Sequence, residues 1–145
     1  MDVTTQSLTL TVGDLERSIE FYTGIFSFPL VAQRQQVAIL QINQAYRSQV
    51  LVLRKSRGAR HPGGGTIGVK MLGFEMALLE ELDQVEKRLA ERHANVRRLR
   101  RDSYETVIGA DPDNYAIAIS ASSTGRPTQM AEWSDPGEII EAIAQ

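Results

Sequence analysis

The sequence predicts an α+β (mixed α/β) domain made of two βαβββ units that form an open, cup-shaped sheet. Three observations support this: residues 5–54 read as strand, helix and three strands, residues 67–121 repeat that order, and a polar, glycine-rich stretch at 55–66 joins them. A period of about half the chain indicates an internal duplication, which predicts a cleft between the halves. We expect one domain over residues 1–121, followed by a C-terminal extension at 122–145.

The first unit begins with a strand at residues 7–12, because polar and apolar residues alternate there with a period of two. Asp14 is suited to cap the next helix, whose apolar residues recur at spacings of three and four. That stripe consists of Leu15, Ile19, Tyr22 and Phe26. Short β-prone runs between residues 30 and 54 predict a three-stranded antiparallel meander.

The second unit repeats this order, starting with a strand at residues 67–76. A helix from about Leu78 follows, and its predicted apolar stripe is Leu78, Leu82, Val85 and Leu89. The next strands are predicted at about 96–101, 104–110 and 115–121, and residues 111–114 form a tight turn before the last one. In the extension, Asp135 and the residues after it predict a short helix that docks on the domain or on a partner subunit.

Composition excludes several classes of function. There is no cysteine, so disulfides, thiolate catalysis and cysteine-ligated metals are excluded. The N-terminal residues do not resemble a signal peptide, no apolar run reaches membrane-spanning length, and the net charge of −2 gives no general attraction to nucleic acid or anionic lipid. We expect a cytoplasmic protein with no nucleic-acid or membrane partner. The basic run at residues 97–101 is interpreted as a solvated edge strand, with a binding patch as the alternative.

Two segments carry a family resemblance. Residues 11–28, TVGDLERSIEFYTGIFSF, resemble the strand-to-helix signature of the vicinal oxygen chelate superfamily, which includes glyoxalase I, extradiol dioxygenases, fosfomycin-modifying enzymes and bleomycin-resistance proteins. Residues 110–120, ADPDNYAIAIS, resemble that family's turn and final strand. The resemblance covers residues 5 to about 121, and it implies the paired βαβββ fold and a homodimer.

The resemblance also implies where metal-dependent relatives hold their ion. The matching positions here are Ser7, Met71 and Ala118, and none of them is a competent donor for zinc, iron or manganese. Ser7 and Met71 differ by 64 positions, as do Leu15 and Leu79, so the two units align consistently. The two histidines, His61 and His93, are expected outside the cup. We therefore predict no metal ion and no other cofactor.

Strand alternation predicts which side chains face the cup. The predicted ligand-binding residues are Ser7, Thr9, Val52, Met71, Gly73, Tyr104 and Ala118, with Val69 on the same side. They are mostly small or apolar, which favours a partly apolar organic molecule. Glu75 and Arg54 are the charged candidates, catalytic only if the chain is an enzyme; the alternative is that they pair with each other or lie in water at the rim.

Two functions remain open at this level. The first is a metal-independent binding protein, similar to the bleomycin-resistance branch of the superfamily, that holds a small organic ligand. The second is a metal-independent enzyme on the same fold, which uses Glu75, Arg54 or a tyrosine for proton transfer, isomerisation or ring closure. The absence of ligands at the three metal positions favours binding, and the scarcity of acid and base groups argues against catalysis.

Overall fold

A computed structural model of the chain describes residues 1, 3, 7–43, 49–58, 69, 71–92 and 95–123. The contacts divide the chain into two compact units. The first comprises residues 1–66 together with Asp111–Asn114, and the second comprises Ile67–Ala110 together with residues 115–145. Most of the glycine-rich connection, both histidines and the predicted tail helix lie outside the described residues.

The first unit contains one helix and a four-stranded sheet. Its elements are β1 (Ser7–Val12), α1 (Leu15–Phe26), β2 (Leu30–Arg34), β3 (Val37–Gln41) and β4 (Val50–Lys55). The strand order is β1-β4-β3-β2, in which β1 and β4 are parallel and the other neighbours are antiparallel. The predicted βαβββ order and antiparallel meander are confirmed.

Helix α1 begins at the cap that its sequence predicts. The Asp14 side chain accepts a hydrogen bond from the backbone N–H of Arg17 at 3.0 Å, which satisfies one of the free amides of the first turn. At the other end Ser27 adopts a left-handed conformation with φ of 58°. The whole predicted stripe is buried, and Phe21 and Ile25 are buried beside it. Burial of each large side chain contributes about 1.5–3 kcal/mol, so this face anchors the helix on the sheet.

The second unit repeats the same architecture. Its elements are β5 (Met71–Met76), α2 (Leu79–Arg92), β6 (Arg97–Arg100), β7 (Tyr104–Ala110) and β8 (Ala116–Ser122). The strand order β5-β8-β7-β6 matches that of the first sheet, with β5 and β8 parallel. The first strands begin at Ser7 and Met71 and the helices at Leu15 and Leu79, so the offset of 64 positions is present in the fold.

Two predictions at the start of the second unit are wrong. Val69 lies outside any strand and is 50% exposed. Extending the β5 ladder back to Val69 would place it opposite Asn114, whose φ of 68° belongs to a turn and cannot continue a strand. Leu78 is not in the buried stripe either: it precedes α2, is 50% exposed, and its N–H donates to the Glu81 carboxylate at 3.3 Å as in a helix cap.

No helix among the described stretches of the chain is long and apolar enough to cross a membrane.

Candidate functional site

Each sheet has one side packed on its helix, and the side turned away from the helix is here called its open face, although Ala118 and Ser120 are buried on that face of the second sheet. The first open face is the side of the first sheet away from α1, and the strand register defines its rows, because paired residues point to the same side. Its central row runs across all four strands and consists of Thr9, Val52, Ile39 and Ala32. Thr9 and Ala32 are exposed and the other two are half-buried, so this row presents accessible apolar surface.

Polar groups flank that row on both sides. One flank consists of Ser7, Val50 and Gln41. The other flank, here called the arginine row, consists of Thr11, Arg54, Val37 and Arg34. Both arginines are exposed, and each is the register partner of Val37 from a neighbouring strand.

The second open face is the side of the second sheet away from α2. One row carries small and apolar residues before an arginine: Gly73, Ala118, Ile108 and Arg97. The next row carries Glu75, Ser120, Thr106 and Leu99. In that row the hydroxyls of Thr106 and Ser120 are hydrogen-bonded at 2.8 Å. Glu75 is exposed and is the register partner of Ser120, so a carboxylate and two hydroxyls share one row.

The register brings several predicted ligand-binding residues together. Thr9 is paired with Val52, and Gly73 is paired with Ala118. Ser7 lies on the first open face, and Met71 and Tyr104 lie on the second, next to Ala116 and Ser122 respectively. Their accessibility differs, however. Ser7, Thr9 and Gly73 are exposed, whereas Ala118 is only 5% exposed and offers a ligand little surface. Their roles in binding stay predictions. The two charged candidates, Arg54 and Glu75, belong to different units.

The residues at the three implied metal positions do not fit a divalent ion. Ala118 has Gly73 and Ile108 as register partners, so its row offers no ligand atom at its centre. Met71 faces Ala116 on the neighbouring strand, and a thioether is a ligand for soft copper ions. Among the described residues, no three His, Cys, Asp or Glu side chains are grouped closely enough to hold a metal. We therefore assign no role on these faces to a metal ion.

The turn between β7 and β8 has a role that the sequence did not reveal. Residues Asp111–Asn114 group with the first unit, and both aspartates are buried there. Asp111 accepts a hydrogen bond from the Tyr22 hydroxyl at 2.7 Å and another from the Asp113 backbone N–H at 2.9 Å. Asp113 accepts from the backbone N–H of Gly13 at 3.1 Å and from the Ser18 hydroxyl at 3.4 Å. These aspartates are acceptors for α1 and its preceding loop, in addition to shaping a turn.

The basic run forms an edge strand, β6, as predicted, but the prediction that its side chains are solvated is wrong at Arg98. Its side chain is 14% exposed and lies among three carboxylates, with Nε at 2.5 Å from Glu105 and Nη1 at 2.6 Å from Asp83 and 2.5 Å from Glu86. Burial lowers the pKa of Arg98, but the hydrogen bonds that its guanidinium donates to the three carboxylates raise the pKa by more, so the net shift is upward. Arg97 and Arg100 are exposed, as an edge strand predicts. The sequence does contain an indication of these carboxylate partners, because Asp83 and Glu86 are three residues apart and therefore lie on one side of α2.

Comparison with known proteins gives a consistent result. The family model described as Glyoxalase/Bleomycin resistance protein/Dioxygenase superfamily matches residues 4–119. A search of curated proteins finds no match. Among solved structures, the chain is similar to a glyoxylase/bleomycin resistance protein/dioxygenase domain from Frankia sp. EAN1pec, with 22% identity, a TM-score of 0.73, and coverage of 84% of this chain and 99% of that chain.

Two further structures have more specific names. A lactoylglutathione lyase from Agrobacterium tumefaciens is 18% identical with a TM-score of 0.62, and 83% of this chain and 95% of that chain are covered. A fosfomycin resistance protein, FosX, from Mesorhizobium loti is 14% identical with a TM-score of 0.64, and the coverage is 93% and 99%. Identities this low show a shared fold and leave the activity open.

The family match spans both βαβββ units, and the strand order and the offset between the units agree with it. The chain therefore belongs to the Glyoxalase/Bleomycin resistance protein/Dioxygenase superfamily.

Proposed function

We propose that this protein binds a small, partly apolar organic molecule on its open sheet faces, without the help of a metal ion. The observation that carries the proposal is the chemistry of those faces. At the positions that resemblance assigns to metal ligands stand Ser7, Met71 and Ala118, and the register surrounds Ala118 with Gly73 and Ile108. Affinity must then come from organic contacts.

The first open face is the better candidate for the body of the ligand. Its central row offers Val52, Ile39 and Ala32 at accessible positions. Apolar contact over about 200 Å² contributes about 5 kcal/mol before the cost of association is subtracted. A micromolar dissociation constant corresponds to about 8 kcal/mol, so specific binding also requires polar anchors.

The test uses phenylnaphthylamine, a neutral aromatic probe whose fluorescence rises in apolar surroundings. We expect the full-length protein to bind it saturably in the presence of a chelator. Val52→Asn, which makes the central row polar, should weaken binding about tenfold. The matched control is Leu78→Asn, which changes an exposed apolar residue that belongs to neither open face and should leave the affinity unchanged.

Two results would overturn the proposal: no saturable binding to the wild-type protein, or an equal loss of affinity in both variants. Thermal unfolding of each variant verifies that the fold is retained, so that a loss of binding is not mistaken for a loss of structure.

A second function, catalysis without a metal, is favoured by one specific observation. Glu75 shares a row with the hydrogen-bonded hydroxyls of Ser120 and Thr106, which is an arrangement able to accept or pass a proton. If the protein is an enzyme of this kind, Glu75→Gln should abolish turnover of a bound compound while its affinity stays within about threefold of wild type. Prolonged incubation that returns every bound compound unchanged would instead support binding alone.

A further inference from the structure

We propose that the ligand of the first open face is an organic anion whose acidic group is held jointly by Arg34 and Arg54. This inference rests on the proposed function and adds the chemical class of the ligand. A carboxylate, a sulfonate and a phosphate share the required chemistry, namely oxygens that accept hydrogen bonds from guanidinium groups.

The register places the two arginines as a pair. Arg54 on β4 and Arg34 on β2 are both partners of Val37 on β3, and all three side chains point to the same face. Two strand spacings, about 10 Å in total, separate the arginine backbones. Long side chains that flank one small residue can converge above it. An anion over Val37 would then be contacted from both sides.

The hairpin that carries Arg34 is well defined. A two-residue turn, Gln35 and Gln36, joins β2 to β3, and Gln35 has the positive φ of 50° that such tight turns require. The Lys55 backbone N–H donates to the Gln36 carbonyl at 2.8 Å, which ties the turn to the end of β4. The backbones of both arginines are therefore held in place before any ligand arrives, and this reduces the entropic cost of binding.

The charge of this face differs from that of the whole chain. The chain has a net charge of −2, yet the described positions of the first open face include two arginines and neither Asp nor Glu. Within the part of the chain that the structure describes, neither Arg34 nor Arg54 forms an ion pair. Arg17 and Arg98, by contrast, contact carboxylates. The guanidinium groups of the arginine row are thus available to an external anion.

The neighbouring apolar row sets the shape of the ligand. Ile39 follows Val37 by two residues on β3, and Val52 precedes Arg54 by two on β4. Two residues along a strand span about 7 Å. A molecule that fits this face is therefore amphipathic. Its apolar body lies over the central row, and its acidic group lies about 7 Å from the centre of that body. Guanidinium is suited to this task because it stays protonated and presents a planar fork of donors.

The test compares two probes that differ in one group. Anilinonaphthalene sulfonate has nearly the same aromatic body as phenylnaphthylamine but carries a sulfonate. We expect the wild-type protein to bind the sulfonate at least about threefold more tightly, and added salt to reduce that preference. Arg34→Gln and Arg54→Gln should each weaken sulfonate binding by about threefold to tenfold, and the same changes should weaken binding of the neutral probe by less than about twofold. Arg100→Gln, an exposed arginine of the second unit, is the matched control and should change neither affinity.

The outcomes separate this inference from the proposed function. If neither probe binds, the proposed function fails. If the neutral probe binds but the sulfonate is not preferred, or if only one of the two arginine variants affects it, the joint anion site is wrong while the apolar site stands. An equal effect of Arg100→Gln would mean that only long-range charge acts, and this too would overturn the inference.

Discussion

The two units share one backbone plan but are stabilised by different side chains. Their sheets have the same strand order, and their helices start 64 positions apart, at Leu15 and Leu79. Helix α1 buries seven residues, including Phe21, Tyr22 and Phe26, whereas α2 buries three. Between helix and sheet the first unit packs aromatic rings, whereas the second unit has an ion cluster there, in which Arg98 contacts Asp83, Glu86 and Glu105. Backbone register has thus been retained while the interactions that hold each helix have diverged.

The open faces differ in the same way. The first combines an apolar row with two arginines, while the second combines small residues with Glu75 and a pair of hydroxyls. A duplicated scaffold therefore offers two chemically distinct surfaces. The anionic ligand proposed above belongs to the first surface, and the alternative proposal of proton transfer belongs to the second. If each unit depends on its own set of interactions, substitutions in the two units should lower stability to different extents.

The largest effect is expected from the buried aspartates of the first unit. Asp111→Ala removes the acceptor for the Tyr22 hydroxyl and for the Asp113 amide, and both donors are left without it in a buried environment. Each unsatisfied donor costs about 1–3 kcal/mol, so the free energy of unfolding should fall by about 2–5 kcal/mol in denaturant titrations. Asp111→Asn keeps one acceptor oxygen and should cost less. A loss below about 1 kcal/mol in Asp111→Ala would show that the turn is not important to the first unit.

An intermediate effect is expected at the ion cluster of the second unit. Arg98→Met preserves much of the side-chain volume but leaves Glu86 and Glu105 without their shared cation, so unfolding should become easier by about 1–3 kcal/mol. Because the pKa of Arg98 is raised, its contribution is fully present below the ordinary arginine range and is lost only as the pH rises through the raised value. The difference in the free energy of unfolding between Arg98→Met and wild type should therefore be the same in neutral and in mildly alkaline buffer.

The matched control for this cluster is Arg100→Met. The Arg100 side chain is 76% exposed and lies 3.7 Å from Glu105, a geometry typical of a weak surface pair. Thermal unfolding should place this variant within about 0.5 kcal/mol of wild type. If the two substitutions had equal effects, the cluster would contribute no more than an ordinary surface charge.

The smallest effects are expected at two glycines, one in each unit. A Cβ at Gly13 would lie 3.1 Å from the Asp113 carboxylate that accepts the Gly13 amide, so Gly13→Ala should destabilise by about 1 kcal/mol. A Cβ at Gly73 would meet nothing within 4 Å, and its φ is not left-handed, so Gly73→Ala should be neutral or slightly stabilising. Chemical denaturation of both variants measures the contrast. If Gly73→Ala lowered stability more than Gly13→Ala, the loop at Gly13 would have to accommodate the added methyl group and β5 would not.

The order and type of the elements could be predicted from sequence because each depends on local periodicity. The alternation in β1 and the spacing of Leu15, Ile19 and Tyr22 determine which faces are buried, and the resemblance at residues 11–28 and 110–120 gave the family. The strand predicted at residues 67–76 was too long. Its start is set by its pairing with β8, and β8 begins only after the turn at residues 111–114, which is distant in sequence.

Features of the candidate site that depend on contacts between distant residues could not be predicted. Arg98 and Arg100 look alike in a basic run, and only the packing of α2 on the sheet separates a buried guanidinium from an exposed one. Periodicity alone does not point to Arg34, because its place beside Val37 follows from a hairpin register with an irregularity between Leu30 and Ala32. A single-residue shift in a strand reverses which side chains face the ligand.

We propose that affinity on these faces arises from organic contacts instead of a coordinated ion. The most direct test purifies the full-length protein without chelators, determines its metal content by elemental analysis, and measures phenylnaphthylamine binding before and after chelation. We expect metal well below one ion per chain and the same affinity in both states. Stoichiometric zinc, iron, manganese or nickel whose removal abolishes binding would contradict the account.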